Sequence, residues 1–170
     1  MPRLAARVWL EASGHGRFSA AFGRRVVLVP IPGSAPVQSG RPVGERLAWC
    51  LKEVGLAAAV EPLLLRRHAV RKSAFAATGE RPSVLEHYAS FAVAGGLYGA
   101  ALQLTLVDDV ITRGRTLLAA AGKLREAFPS AQIRAFALLR TLGRGELPRR
   151  TLDPCEGEVR WVAGDARRRP

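Results

Sequence analysis

Apolar residues gather in short runs that alternate with stretches of helical spacing. Residues 26–31 are aliphatic except for Pro30, and residues 102–107 are mostly apolar. Runs of this kind predict buried strands of a parallel sheet, the first ending at Pro30. Residues 60–65 and 133–139 predict two more strands, and residues 159–162 a last short one. Leu117, Leu118, Ala121, Leu124 and Phe128 recur at helical spacing and Pro129 closes the pattern, which predicts an amphipathic helix. A first helix over residues 3–12 would place Leu4, Val8 and Trp9 toward the core, and residues 18–22 predict a short helical piece. A further helix runs to about Val54 and stops at Gly55. Strands alternating with helices predict an α/β fold with right-handed crossovers.

The chain is organised around residues 102–118, LQLTLVDDVITRGRTLL. A strand runs into two adjacent carboxylates, Asp108 and Asp109, then a Thr112-Arg113-Gly114-Arg115-Thr116 turn, then a helix. The first turn of a helix has unpaired N–H groups and the positive end of the helix dipole. Gly114 permits close backbone approach, and Thr112 and Thr116 add hydroxyl donors, so the turn suits a phosphate. The carboxylates ahead of it would repel that phosphate and suit sugar hydroxyls instead. Together they describe a ribose 5-phosphate. The ordinary alternative is a strand-to-helix turn in which one acid caps the helix.

LTLVDDVITRGRT resembles the phosphoribosyl-pyrophosphate signature of the type I phosphoribosyltransferases. Thr105 stands where that signature has an aliphatic residue, and Arg113 is bulkier than its usual Thr or Ala. Residues 40–48, with Arg41 and Leu47-Ala48, partly resemble the ComF-like, competence-associated branch, whose zinc ribbon has no counterpart in this sequence. The resemblance implies a three-layer fold over residues 1–170: a mainly parallel central sheet, helices on both faces, and a small hood near residues 66–93. It implies that Asp108 and Asp109 bind the ribose hydroxyls and steady the positive charge of the transition state. Thr112, Arg113, Gly114, Arg115 and Thr116 would hold the 5-phosphate. Gly33 and Ser34, after the first sheet strand, would hold pyrophosphate with Arg71, Lys72 and Arg81 of a mobile basic hood, together with Mg²⁺. Oxopurine salvage enzymes of the family carry an Asp base where this chain has Thr112, so the acceptor stays open. Structures of this kind often form homodimers.

Net charge is +12, with 26 basic and 14 acidic residues, which favours anionic partners. Phosphorylated substrates and single-stranded DNA both fit. A non-catalytic DNA-handling module is therefore the alternative to the enzyme, and a nucleotide-sensing regulator a third reading. The segment 164–170, with three arginines before Pro170, reads as a flexible basic tail. His68 and His87 read as surface residues, with a place in a base site as the alternative, and Tyr88 and Phe91 as core. Cys50 and Cys155 stand alone, which argues against a zinc site or disulfide framework and fits reduced cytoplasmic thiols. No apolar run approaches the roughly 18 residues of a membrane span, and the N-terminus reads as the start of the fold.

Overall fold

The structure is a computed structural model that describes residues 1–13, 16–36, 40–71, 81–94, 103–142 and 154–169. In chain order the elements are α1 (Pro2–Ala12), β1 (Gly23–Pro30), α2 (Val43–Glu53), β2 (Ala57–Val60), β3 (Leu64–Arg66) and α3 (Val84–Ser90). They continue with β4 (Phe91–Val93), β5 (Gln103–Ile111), α4 (Arg115–Ala127), β6 (Gln132–Arg140), β7 (Glu158–Val162) and β8 (Asp165–Arg169). The central sheet has the order β2-β1-β5-β6, with every pair parallel. Two antiparallel pairs, β3-β4 and β7-β8, lie outside it.

Side chains of a strand alternate between faces, and here both faces are covered. Val27, Val29, Leu104 and Leu106 pack with Leu117, Ala120 and Leu124 of α4 and with Val84 and Phe91. Val26, Leu28 and Val60 pack on the other side with Ala5 and Val8 of α1 and with Leu47 and Leu51 of α2. The result is an α/β sandwich of helices, parallel sheet and helices. Thr105, the departure noted within the β5 motif, is buried on the α1/α2 side, where its hydroxyl donates to the Ala21 carbonyl at 2.6 Å. A polar side chain there leaves no donor unpaired.

Several expectations from the pattern are corrected. In α1 the small residues Ala5, Val8 and Ala12 are buried, while Leu4 and Trp9 remain 46% and 44% exposed. Residues 17–21 form turns and not a helical piece, and β1 starts at Gly23. The run 60–65 is not one strand. Pro62, lacking an N–H, stands between β2 and β3, and the chain leaves the central sheet to pair with β4. The basic tail is β8, paired along its length with β7 through a two-residue turn in which Ala163 and Gly164 both take positive φ, 49° and 80°. No helix among the described residues is long and apolar enough to cross a membrane.

Candidate functional site

The sheet order places a topological switch between β1 and β5: the chain winds from β1 outward to β2, and from β5 outward to β6. In open parallel sheets ligands gather beyond the carboxyl ends of strands at such a point. Here the β1 end carries the 31–34 loop, and the β5 end carries Asp108, Asp109 and the turn to α4. The two ends are tied by the Ile31 N–H, which donates to the Val107 carbonyl at 2.9 Å. The N-terminus of α2 also comes close. A Cβ on Gly44 would lie 3.1 Å from the Val107 carbonyl oxygen, so a side chain there would press on the β5 backbone beside Asp108.

Gly114 caps α4 with φ 85°, a left-handed conformation open to glycine. A Cβ there would also meet Val159 of β7 at 2.7 Å. The thirteen-residue α4 therefore starts sharply, and its first turn faces a pocket. Arg81, His87, Asp108, residues 110–111, the whole turn Thr112-Arg113-Gly114-Arg115-Thr116, and Leu117 line that pocket.

The α3 side contributes more than the sequence foretold. Ser83 caps α3 and accepts from the Glu86 N–H, while the Glu86 carboxylate accepts from the Ser83 N–H, a reciprocal capping box. This fixes α3 against α4, where Tyr88 donates to Glu126 and Gly122 lets the Tyr88 ring approach. His87 is then buried, 4% exposed, rather than on the surface. Its Nε2 lies 3.3 Å from Thr116 Oγ1, and its ring stacks on Phe91. Phe91 also carries the guanidinium of Arg66, 4.0 Å from the ring centroid. Arg66, the first residue of the segment expected from sequence to form a mobile basic hood, is 7% exposed. It donates to the Gly33 carbonyl at 3.0 Å and to Ser90 Oγ, so one buried cation ties the β1 loop to the end of α3.

Burial controls the charges here. Asp108 is pushed up to about 7 by loss of solvent and by neighbouring Asp109, against the Asp109 N–H it accepts and the field of Arg66. His87 is pulled down to about 4 by burial and by Arg66. Arg66 itself is lowered to about 10 by burial. At the rim the opposite holds. Arg115 makes two bonds to Asp165, at 2.6 Å each, and donates to the Arg81 and Pro82 carbonyls at 3.1 and 3.2 Å. Arg113 reaches the same carboxylate at 3.2 Å. The Asp165 pKa falls to about 2, chiefly through the bonds from Arg115.

No protein-family model matches this sequence, and no curated protein is found to be similar to it. The site is therefore read on its own geometry. Of the residues singled out from sequence, Asp108, Thr112 to Thr116 and Arg81 meet in one pocket. Asp109 lies next on β5 but does not line it, as strand alternation requires. Gly33 and Ser34 sit at the β1 end, with their carbonyls taken by Arg66 and by the Val70 N–H. Arg71 is exposed outside the pocket, and Lys72 lies outside the described residues. Sequence reasoning missed Arg66, His87 and Asp165. The signal that could have found His87 is Ser83-x-x-Glu86, a capping signature for the helix that buries it.

Proposed function

We propose that the protein binds phosphoribosyl pyrophosphate with Mg²⁺ and transfers its phosphoribosyl group to an acceptor, releasing pyrophosphate, on a fold of the type I phosphoribosyltransferase kind. One observation carries the reading: Asp108, the Thr112 and Thr116 hydroxyls and the first turn of α4 converge on one pocket at the switch point of the sheet. In this reading the 5-phosphate takes the N–H groups and hydroxyls of the turn. Asp108 accepts from the ribose hydroxyls and faces the positive charge that grows at the anomeric carbon as its bond to pyrophosphate breaks.

Among the described residues no three ligating side chains cluster into a metal cage. Magnesium commonly takes one or two carboxylates and completes its shell with substrate phosphates and water. Asp108 offers one such carboxylate in the pocket, and the metal would neutralise charge on the leaving pyrophosphate. The test is calorimetry with phosphoribosyl pyrophosphate and Mg²⁺, followed by a screen for pyrophosphate release over bases and small amines. Binding with release identifies the acceptor; no heat of binding removes the reading.

A second reading, a module for single-stranded DNA, draws on the β7-β8 ribbon. Arg160 and Arg167 face each other across it and Arg169 stands on the same side, all exposed. Glu158, opposite Arg169 on the same side, pairs with Arg160 at 2.8 Å, so three arginines stand against one carboxylate and the face is net positive, which favours a polyanion. Steeply salt-dependent binding of single-stranded DNA, lost in an Arg160→Ala, Arg167→Ala variant, would select it.

A further inference from the structure

His87 is buried, yet half of its polar capacity is unused. Among the described residues Nδ1 has no hydrogen-bond partner, while Nε2 lies 3.3 Å from the Thr116 hydroxyl oxygen. Arg66, Glu86 and Arg115 are the charged groups whose fields reach the ring, two cations against one anion, and the imidazole is neutral at pH 7. A neutral imidazole carries one N–H, and its place is set by the partners available. A proton on Nδ1 would be a buried donor with no acceptor, which folded proteins rarely tolerate. A proton on Nε2 has an acceptor, Thr116 Oγ1, and leaves only a lone pair unused at Nδ1.

That tautomer decides what Thr116 does. With Oγ1 already accepting from His87, the hydroxyl proton must point elsewhere. Thr116 is the second residue of α4 and lines the pocket, and its oxygen has no other hydrogen-bond partner among the described residues. We propose that His87 is a positioning residue of this pocket: its Nε2–H fixes the Thr116 hydroxyl so that Thr116 donates to an oxyanion held at the first turn of α4. The two donors run in series, from imidazole to hydroxyl to anion, and a chain of hydrogen bonds strengthens its last member. The inference rests on the pocket being a phosphate site, and it holds for any phosphate, not only that of phosphoribosyl pyrophosphate.

The test uses inorganic phosphate as the probe and the amide resonances of residues 113–116 as the reporter. Nitrogen-15 spectra of the imidazole in the wild type at pH 7.5 are expected to show the Nε2–H tautomer. The Nδ1–H tautomer would overturn the proposal without any variant having to fold. His87→Leu and Thr116→Val are each expected to weaken phosphate by about five- to tenfold, and together no more than Thr116→Val alone. His87→Gln, whose amide nitrogen can stand near the Nε2 position, is expected to restore affinity to within about threefold of wild type. A merely structural histidine would give additive losses and no rescue by Gln, and either result sinks the proposal. Phosphate that fails to shift the 113–116 amides sinks it too. Phosphate that binds where phosphoribosyl pyrophosphate with Mg²⁺ does not would remove the transferase reading and leave the His87 role standing.

Discussion

The floor and the rim of the pocket handle charge in opposite ways, although Arg115 and Thr116 are adjacent in sequence. On the floor, Asp108 is half-buried and His87 is buried, and both are driven toward their uncharged forms. At the rim, Arg115 and Asp165 are driven toward their charged forms by the bonds between them. The first turn of α4 separates the two: Arg115 turns out to the β7-β8 hairpin, and Thr116 turns in to His87. Rim charges are satisfied by one another and hold structure. Floor groups lack matched partners, and such groups cluster where a ligand completes them. Under the proposed function binding falls to the floor and fastening to the rim, and variants can break that division on either side.

The largest effect is expected at Asp108. Asp108→Asn keeps the shape and the acceptor for the Asp109 N–H but removes the carboxylate. Affinity for phosphoribosyl pyrophosphate should fall by about 100-fold, the scale of a lost charge-assisted bond. Stability at pH 8 should rise by about 1–2 kcal/mol, because a desolvated charge has gone. Urea denaturation and calorimetry on one preparation check both. A variant that loses stability and keeps affinity would mean that Asp108 belongs with the rim.

Gly114 comes next, where floor and rim are joined. Gly114→Ala puts a Cβ at φ 85° and against Val159 at 2.7 Å. The left-handed conformation costs roughly 1–2 kcal/mol for a non-glycine residue, and the contact adds to it. A loss of about 2–3 kcal/mol in urea denaturation is expected, with phosphate affinity falling as the turn reshapes.

The pH dependence sharpens the contrast within the floor. Folded Asp108 titrates at about 7, above the ordinary 3.8, so its contribution to stability is full below about pH 4 and is lost as pH rises to 7. Folded His87 titrates at about 4, below the ordinary 6.5, so its contribution is full above about pH 6.5 and is lost as pH falls to 4. The two slopes oppose each other in the wild type. Asp108→Asn should therefore gain stability from pH 4.5 to 7, and His87→Gln should lose it. Parallel profiles for the two variants would show that these groups do not share an environment. Affinity for phosphoribosyl pyrophosphate should also change differently from pH 6 to 8 in the two proteins, because Asp108 ionises in the wild type while only the ligand's phosphates titrate in Asp108→Asn.

How much of this could be read from the sequence depends on how local each feature is. β1, β5, β6 and α4 follow from unbroken periodicity, and Asp108 with the 112–116 turn from neighbours in the chain. The residues that complete the floor arrive from elsewhere. Arg66 looked solvated beside Arg67 and His68, and nothing within that run shows that Gly33, Ser90 and Phe91 would enclose it. His87 is one turn of a helix marked only by its capping box. The split at Pro62 was legible from its missing N–H, but the apolar flanks outweighed it. The three arginines 167–169 look like a solvated tail because like charges suggest repulsion. A two-residue turn and the Asp165 anchor on Arg115 hold them in β8 all the same.

The smallest effect is expected at the rim. Asp165 accepts from Arg115 and Arg113, and side-chain exposures of 29%, 19% and 56% leave the cluster well screened. Exposed ion pairs contribute about 1 kcal/mol or less, with the bidentate Arg115 contact toward the upper end. Asp165→Asn should therefore cost no more than about 1 kcal/mol at pH 7. The folded pKa of about 2 lies below the ordinary 3.8, so the contribution is present above about pH 4 and is lost as pH falls toward 2. Wild type and variant should thus converge in urea denaturation at pH 2.5. Phosphate affinity gives the sharper outcome. Removing a carboxylate from beside the turn lowers the negative field on an incoming anion, so affinity should hold or rise by about twofold at low salt. A tenfold loss of phosphate in Asp165→Asn, with the fold intact, would put Arg115 and its anchor among the binding groups and erase the division between rim and floor.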